Sequence, residues 1–583
     1  MVRATFAGIT TALSSLQANQ KRLDIVGQNL SNMNTPGYTR QQLDVTSLNH
    51  LSPVSHYANG AEINVGFGVK MDGVSRIRDP YLDVQYRDQI GKSSYNDTMQ
   101  VSLDTLANFL DEHTISGIRQ AFDDVQSTLN NMQDPAKVTD PIMDSELRAR
   151  MQILTNTLND AARQIDKAKQ QEYEFLDGTQ TSENGAVQKV NDILKQIGDL
   201  NIQIKRNQVV DQPSLELMDE RDMLLDELAS YIPIEVTYYK DSDREGWPYD
   251  LRVDMIYSKG GATERLTLVQ GSEGGRGKNY GKIIEPIEKT GTEEVIKIDP
   301  VTGQPVLDAN GQPETETVTV EDPRYTKLTF TQAESAYTKR ADVEIAAGAD
   351  TSKENNFANG SIQASLDMLG KTGTQVGSRT GADLGKDYVR GYQYYMDQLD
   401  TLANAFAQTI NDINNSSVEY AKNKDGALLG GADAIGKFTA ASIKISDDWA
   451  AGNIKVGSAT DDGSGTGTAV DEASMNQTVL AMSKAFEDTT IPGLNKNIFA
   501  SYMNHVSTIL ATDSYANQQE LKTNVTVLNG IQDSRDEISG VSLDEEAANM
   551  MAYLNAYNAA SRLMTTLDEA LNTLINNTGL VGR

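Results

Sequence analysis

The stretch from Ser542 to Asn577 reads SLDEEAANMMAYLNAYNAASRLMTTLDEALNTLINN. Leu543, Met550, Tyr557, Met564 and Leu571 recur every seven residues, and Tyr553, Ala560, Leu567 and Leu574 follow four of them at a spacing of three. This is an a/d pattern kept up for about five heptads, and a helix so striped needs a second helix to cover it. Ser542 and Glu545 have the spacing of a capping box, Gly579 offers a stop, and no proline interrupts the run. The other end of the chain carries a matching stripe. Ile9, Leu16, Leu23 and Leu30 repeat at seven, with Ala12, Val26 and Met33 three residues after Ile9, Leu23 and Leu30. Charge agrees with a pairing, since residues 1–50 hold four Lys/Arg against two Asp and residues 541–583 hold five acids against two Arg. One stripe alone would call only for some neighbouring helix. Two of them, at opposite termini, predict one discontinuous coiled-coil domain, 1–50 with 541–583, and everything between as an insertion. Its interaction residues are Ile9, Leu16, Leu23, Val26 and Leu30 on the first helix, and Met550, Tyr553, Tyr557, Met564, Leu567, Leu571 and Leu574 on the last.

Composition bounds the remainder. A chain of 583 residues is too long for one core, so several domains are expected. A net charge of −31 argues against nucleic acid and anionic membrane as partners. The absence of cysteine removes disulfides, thiolate catalysis and cysteine-ligated metal. No apolar run reaches the length of a membrane span. Thr10, Thr11, Ser14, Ser15 and Gln17 break any apolar stretch of a secretory signal, so export would need another route.

The first helix is expected from Thr5 to Asn34, ended by Thr35-Pro36-Gly37. The segment Asn29-Leu30-Ser31-Asn32-Met33-Asn34-Thr35-Pro36-Gly37-Tyr38-Thr39-Arg40 resembles the amino-terminal signature of the flagellar rod, hook and hook-associated axial proteins. Within that family Tyr38-Thr39-Arg40-Gln41 is similar to the members found at the hook–filament junction. Leu543-Asp544-Glu545-Glu546-Ala547-Ala548-Asn549-Met550-Met551 and Ala556-Tyr557-Asn558-Ala559-Ala560 resemble the other end of the same family.

Residues 41–86 read as extended and loop-like, with helical spacing resuming at Tyr81. Ile115, Ile118, Phe122, Val125, Leu129 and Met132 form a seam, and Leu103, Leu106 and Leu110 precede it out of phase, which predicts a bend near Gly117. Further helices are expected at 145–176, 187–206 and 214–231. The run Leu217-Met218-Asp219-Glu220-Arg221-Asp222-Met223-Leu224-Leu225-Asp226-Glu227-Leu228 resembles the junction members and reads otherwise as an ordinary bundle helix. At Pro233 the pattern changes. Short β-branched or aromatic runs at 234–239, 251–257, 266–269, 295–298, 318–320 and 328–330 alternate with turn chemistry at Lys259-Gly260-Gly261-Ala262 and Asp308-Ala309-Asn310-Gly311. Residues 233–360 are therefore expected to form a β-rich inserted domain with its own core. The helical rod domain, 51–232 and 361–540, resumes after it. A helix carrying Leu399, Leu402, Phe406, Ile410 and Ile413 precedes a polar, glycine-rich interruption at 417–470, and a last rod helix is expected from Ile498 to Leu528.

Catalytic arrangements are sparse. Gly431-Ala432-Asp433-Ala434-Ile435-Gly436-Lys437-Phe438 nearly spells a phosphate loop, but Phe438 stands where a metal-binding hydroxyl is needed. Gly463-Ser464-Gly465-Thr466-Gly467 lacks dinucleotide spacing. The histidines at 50, 56, 113 and 505 lack metal-ligand spacing, and Asp308–Gly311 lacks the rest of a calcium loop. No catalytic, metal or cofactor residue is assigned. The fold expected is mainly α with β-rich insertions: a terminal coiled coil, a helical rod and an outward β domain. The family resemblance implies a self-assembling structural adaptor of the bacterial flagellum, needed for filament assembly. It further implies a homo-oligomeric ring, contacts with hook protein and the next hook-associated protein, and unfolded type III export. A cytoplasmic chaperone on the carboxyl-terminal segment and a secreted, extracellular site at the hook–filament junction follow from it too. Two other classes fit a stalk with an insertion: an adhesive or glycan-binding surface protein, and a component of another tubular, phage-tail-like assembly.

Overall fold

Helix α1 (Thr5–Ser31) leads into an antiparallel ribbon of β1 (Gln41–Ser47) and β2 (Val69–Arg76). The helix stops short of Asn34, because the amides of Asn32 and Thr35 already close turns onto Asn29 and Asn32. This computed structural model describes residues 5–48, 68–110, 112–138, 140–178, 185–210, 214–240, 249–271, 279–297, 306, 314–321, 326–333, 342–346, 355–373, 389–416, 426–433, 436–456 and 472–577. The stop at Gly579, His50, His56, Asp308–Gly311 and Gly463–Gly467 lie outside these residues.

A run of helices follows the ribbon: α2 (Pro80–Phe109), α3 (Glu112–Met132), the short α4 (Pro135–Val138), α5 (Pro141–Asp177), α6 (Ala186–Val209) and α7 (Leu215–Tyr231). Asp79 and Asp140 cap α2 and α5 by accepting from the amides of Tyr81 and Ile142. Pro80 and Pro141 take the first helical position, where a missing N–H leaves nothing unpaired. α2 ends at Phe109 and α3 begins at Glu112, and Gly117 lies within α3. The five-residue step from Leu110 to Ile115 is where the apolar phase changes.

Strands β3 (Ile234–Lys240), β4 (Tyr249–Lys259), β5 (Ala262–Gln270), β6 (Ile283–Glu288), β7 (Thr290–Ile296), β8 (Thr315–Glu321), β9 (Lys327–Thr331), β10 (Asp342–Ala346) and β11 (Asn355–Asn356) come next. β4 pairs with β3, β5 and β11, β9 pairs with β6 and β10, and β7 and β8 make a separate ribbon, all antiparallel. The β4–β5 turn needs positive φ at both central residues, and Gly260 and Gly261 supply it at 57° and 86°. The chain then returns to helix with α8 (Ser361–Gly370) and α9 (Tyr392–Asn415). The short pair β12 (Leu429–Gly430) and β13 (Lys444–Ile445), the single-turn α10 (Asp447–Ala450), α11 (Glu472–Ala485), α12 (Phe499–Ser539) and α13 (Leu543–Asn577) complete it.

Two apolar cores hold this together. The first joins α2, α3, α5, α9 and the start of α12 around Phe122, whose ring lies 5.2 Å from Phe406 and 5.8 Å from Phe499. Leu428, Phe438, Ile443 and Trp449 belong to it, so the glycine-rich interruption contributes core residues. The second joins α6, α7 and α8 to the sheets: Leu194, Ile197, Leu228 and Leu366 share it with Leu251, Val253, Leu268 and Phe330. Among the described residues, the inserted strands therefore have no core separate from the helices. Neither core contains a residue of α1, β1, β2 or α13. Leu510 is the last buried residue of α12, yet the helix runs on past Leu528 to Ser539. Amides carry that second half along α2. Gln89 Nε2 donates to Asn524 O at 3.0 Å, Asn517 Nδ2 to Asn96 O at 2.9 Å, and Gln100 Nε2 to Ser514 Oγ at 2.8 Å.

Candidate assembly interface

Helices α1 and α13 lie side by side and antiparallel. A Cβ built on Gly8 would sit 3.3 Å from Leu567 Cδ1, the Arg22 guanidinium stands 5.2 Å over the Tyr553 ring, and Arg40 reaches Glu545 and Glu546. The covered stripe of α13 is Glu546, Asn549, Tyr553, Tyr557, Ala560, Met564, Leu567 and Leu571. Opposite it Val26 is buried, and Ile9, Leu16, Leu23 and Leu30 are half-buried. Two of the residues expected in the seam are not brought into it: Met550 is 38 % and Leu574 55 % exposed. Leu543 and Met33 are exposed as well. A straight α-helix drifts about 20° per heptad against a 3.5-residue repeat, so toward its start the covered face moves from Met550 to Asn549 and Glu546.

Residues outside the apolar repeat complete the interface. Asn29 Oδ1 accepts from the Gln41 amide and the Tyr38 hydroxyl, both at 3.0 Å, and its Nδ2 donates to Gln41 O. Ser14 Oγ accepts from the Val69 amide at 3.3 Å. The ribbon thus lies along α1, which is covered by α13 on one side and by β1–β2 on another. Glu545 departs from the capping box. Its amide donates to Ser542 Oγ at 3.5 Å, but its carboxylate turns to Arg40 Nη1 at 2.6 Å.

Below this pair sits a network of arginines and aspartates. Arg76 Nη1 donates to Asp219 Oδ1 at 2.7 Å and to Asp222 Oδ2 at 2.8 Å, and Arg78 bonds Asp222 at 2.6 Å and Asp83 at 2.5 Å. Arg87 bonds Asp226 at 2.7 Å, and Arg535 joins Asp226 at 2.9 Å to Asp83 at 3.2 Å. Burial works to raise the Asp222 carboxyl, but Arg78, Arg76 and Arg87 outweigh it and hold the group below its ordinary range. Burial likewise works to lower the Arg76 guanidinium, and Asp222 and Asp219 reverse that. Tyr38 is pushed up to about 12, first by burial and then by Glu216, Asp219 and Glu546. A cavity of about 380 Å³ opens beside the network, lined by Tyr38, Arg78, Asp222, Asp226 and Arg535 among others. Asp219, Asp222 and Asp226 stand at spacings of three and four in α7, a helical face visible in the sequence but without an assigned partner.

Three family models match this chain: the flagella basal body rod protein over residues 9–39, the flagellar hook-associated protein FlgK helical domain over 103–273, and the flagellar basal body rod FlgEFG protein C-terminal over 532–577. The two terminal matches fall on α1 and on α13. The chain belongs to the flagellar rod, hook and hook-associated axial family. Among axial relatives it is 27 % identical to Flagellar hook-associated protein 1 of Bacillus subtilis over 587 residues, covering 100 % of both chains. It is 25 % identical to the Escherichia coli protein of that name, covering 97 % of this chain and 99 % of the other. The flagellar hook junction protein FlgK from Burkholderia pseudomallei overlaps 60 % of this chain and 47 % of its own at 18 % identity, with a TM-score of 0.36.

In the near phosphate loop the described amides are turned to the loop's own aspartate. The Gly436 amide donates to Asp433 O, the Lys437 amide donates to Asp433 Oδ1 at 2.8 Å, and Phe438 is buried in the first core. Among the described residues no three His, Asp or Glu are grouped to hold a metal ion, and no helix is long and apolar enough to cross a membrane.

Proposed function

We propose that this chain is a structural, self-assembling axial protein that works as the adaptor between flagellar hook and filament. The observation that carries this is full-length similarity, end to end, to relatives named Flagellar hook-associated protein 1, with both terminal signatures on one paired set of helices. Such a protein acts by shape and contact. Copies form a ring in the axial tube, with hook protein on one side and the next hook-associated protein on the other. Met550 and Leu574, left exposed on α13 while the seam pairs that helix with α1, supply apolar surface for that packing. The subunit travels through the flagellar type III apparatus, a cytoplasmic chaperone covering its carboxyl-terminal segment, and acts outside the cell without catalysing a reaction. Electron micrographs of cells lacking the gene test this. Complete hooks without filaments, filament protein in the medium, and recovery on complementation are expected. Normal filaments on the deleted strain would overturn it.

A further inference from the structure

The two apolar cores make up the body of the molecule, and Glu172 stands where they meet. On α5 the first core ends at Ala168 and the second begins at Tyr173. Glu172 is buried in the gap between them, and among the described residues no cation is paired with it. Hydroxyls surround it instead. Ser102 Oγ of α2 lies 2.5 Å and the hydroxyl of Tyr392, the first residue of α9, 3.1 Å from Oε2, with Ser365 of α8 beside them. The other titratable groups of this polar layer are bonded to one another or to amides. The Tyr95 hydroxyl of α2 donates to Asp367 Oδ2 of α8 at 2.8 Å, and Lys169 Nζ of α5 donates to Gln393 Oε1 of α9 at 3.4 Å. Ser102 has one hydrogen and two acceptors in reach, Glu172 Oε2 and, at 3.1 Å, Thr98 O. An ionised Glu172 takes that hydrogen and leaves Thr98 O without it. A protonated Glu172 gives its own hydrogen to Ser102 Oγ, Ser102 donates to Thr98 O, and Tyr392 still donates to Oε2. The neutral acid satisfies the whole group.

We propose that Glu172 is a proton-operated lock on the start of α9: the neutral acid keeps that helix end closed over the gap between the cores, and loss of the proton lets it lift and admits water. The start of α9 is suited to lifting. Gly391 gives it no side-chain cap, and it is tied down by the Tyr392 hydroxyl, by the Gly391 amide on Lys371 O at 3.1 Å and by Arg390 on Asp513 at 2.6 Å. A carboxylate buried without a cation is costly, and water reaching it relieves that cost. Burial raises the carboxyl above its ordinary 4.5, although Ser102, Ser365 and Tyr392 work to lower it. The closed form therefore holds the proton more tightly than the open one. Closing is favoured in full below 4.5, weakens about tenfold per pH unit above it, and levels off once pH has passed the raised value. The lock lies wholly within the body and works without α1, the ribbon or α13.

The chain has no cysteine, so single thiols report opening by their rate of labelling. Ala168→Cys places one beside the gap and Ala162→Cys one deeper in the first core, both at buried positions of α5. Labelling by a neutral reagent is followed on the full chain from pH 4.5 upward and corrected by the rate of a free thiol at each pH. The corrected rate at Ala168→Cys climbs with pH and then levels, that at Ala162→Cys stays lower throughout, and adding Glu172→Gln flattens the climb. Infrared difference spectra show a protonated-carboxyl band that Glu172→Gln removes. Tyr392→Phe, which takes a donor from the ionised form, keeps that band to higher pH and provides the test if Glu172→Gln loses its helical circular dichroism. A rate at Ala168→Cys that ignores pH, or climbs equally with Glu172→Gln, would overturn the lock. Equal rates at the two cysteines at every pH would make the opening global unfolding, and absence of the carboxyl band would remove the proton on which the lock depends.

Discussion

Glu546 is 1 % exposed, with Oε1 on Arg40 Nε and no hydrogen-bond partner for Oε2 among the described residues. It sits in the first turn of α13, where the helix dipole favours a carboxylate and offsets part of the cost of burying it. Arg40 supplies the rest. Arg40→Ala should destabilise the pairing of α1 with α13 by about 3–5 kcal/mol, the penalty of leaving a buried carboxylate unpaired. Glu545, 61 % exposed, bonds the same arginine, yet Glu545→Gln should cost under about 1 kcal/mol. Hydrogen exchange of the α13 amides in the two variants tests the contrast, and equal effects would show that burial is not what makes the pair matter. The sequence displayed Ser542 and Glu545 as a capping box, but an arginine some five hundred residues away takes the glutamate. Spacing reports local geometry and is blind to a competing partner brought in by the fold.

Element by element, the chain was most readable where one apolar face repeats. α5 and α9 show their buried faces at helical spacing, and α7 shows its acidic face as plainly. α12 is legible as a helix as far as Leu528, but its packing is not, because amides with no apolar period hold its second half to α2. In the seam, Leu567 faces Gly8, so Leu567→Asp puts a carboxylate where α1 comes closest. A loss of about 2–4 kcal/mol is expected, raising hydrogen exchange across α1 at least tenfold, while a change at exposed Asn572 leaves it alone. Unaltered protection of α1 would show that the seam does not hold it.

In the body, Glu172 lies between α2, α5 and α9, accepting from Ser102 Oγ at 2.5 Å and Tyr392 hydroxyl at 3.1 Å. Burial raises its carboxyl above the ordinary 4.5 in spite of those bonds. A raised acid favours the protonated folded state, so its contribution is full below 4.5 and is lost as pH climbs through the raised value. Asp222 has the opposite sign. Held low by arginines, it contributes above the ordinary 3.8 and loses that contribution as pH falls through its lowered value. Urea midpoints should therefore drop from pH 4.5 toward neutral more steeply for the parent chain than for Glu172→Gln. Parallel profiles would refute the assignment.

On the scale of the whole molecule, the switch from helix to strand at Pro233 was legible, and the shared core was not. Alternation along β4 tells which residues point inward but not whether a second sheet or a set of helices receives them. Here α6, α7 and α8 receive them. Deleting residues 233–360 and joining the limbs with Gly/Ser should therefore uncover Leu194, Ile197 and Leu366, lower the melting temperature of the body and raise binding of an apolar dye. A deletion that melts like the parent and binds no dye would mean the helices close over their own faces. The pairing of α1 with α13 has a further consequence, which belongs to time rather than space. Ribosomes deliver α1 first and α13 last, so at typical elongation rates the first helix waits roughly half a minute to well over a minute for its partner. Throughout that interval the nascent chain carries a complete recognition face whose match on α13 has not yet been made.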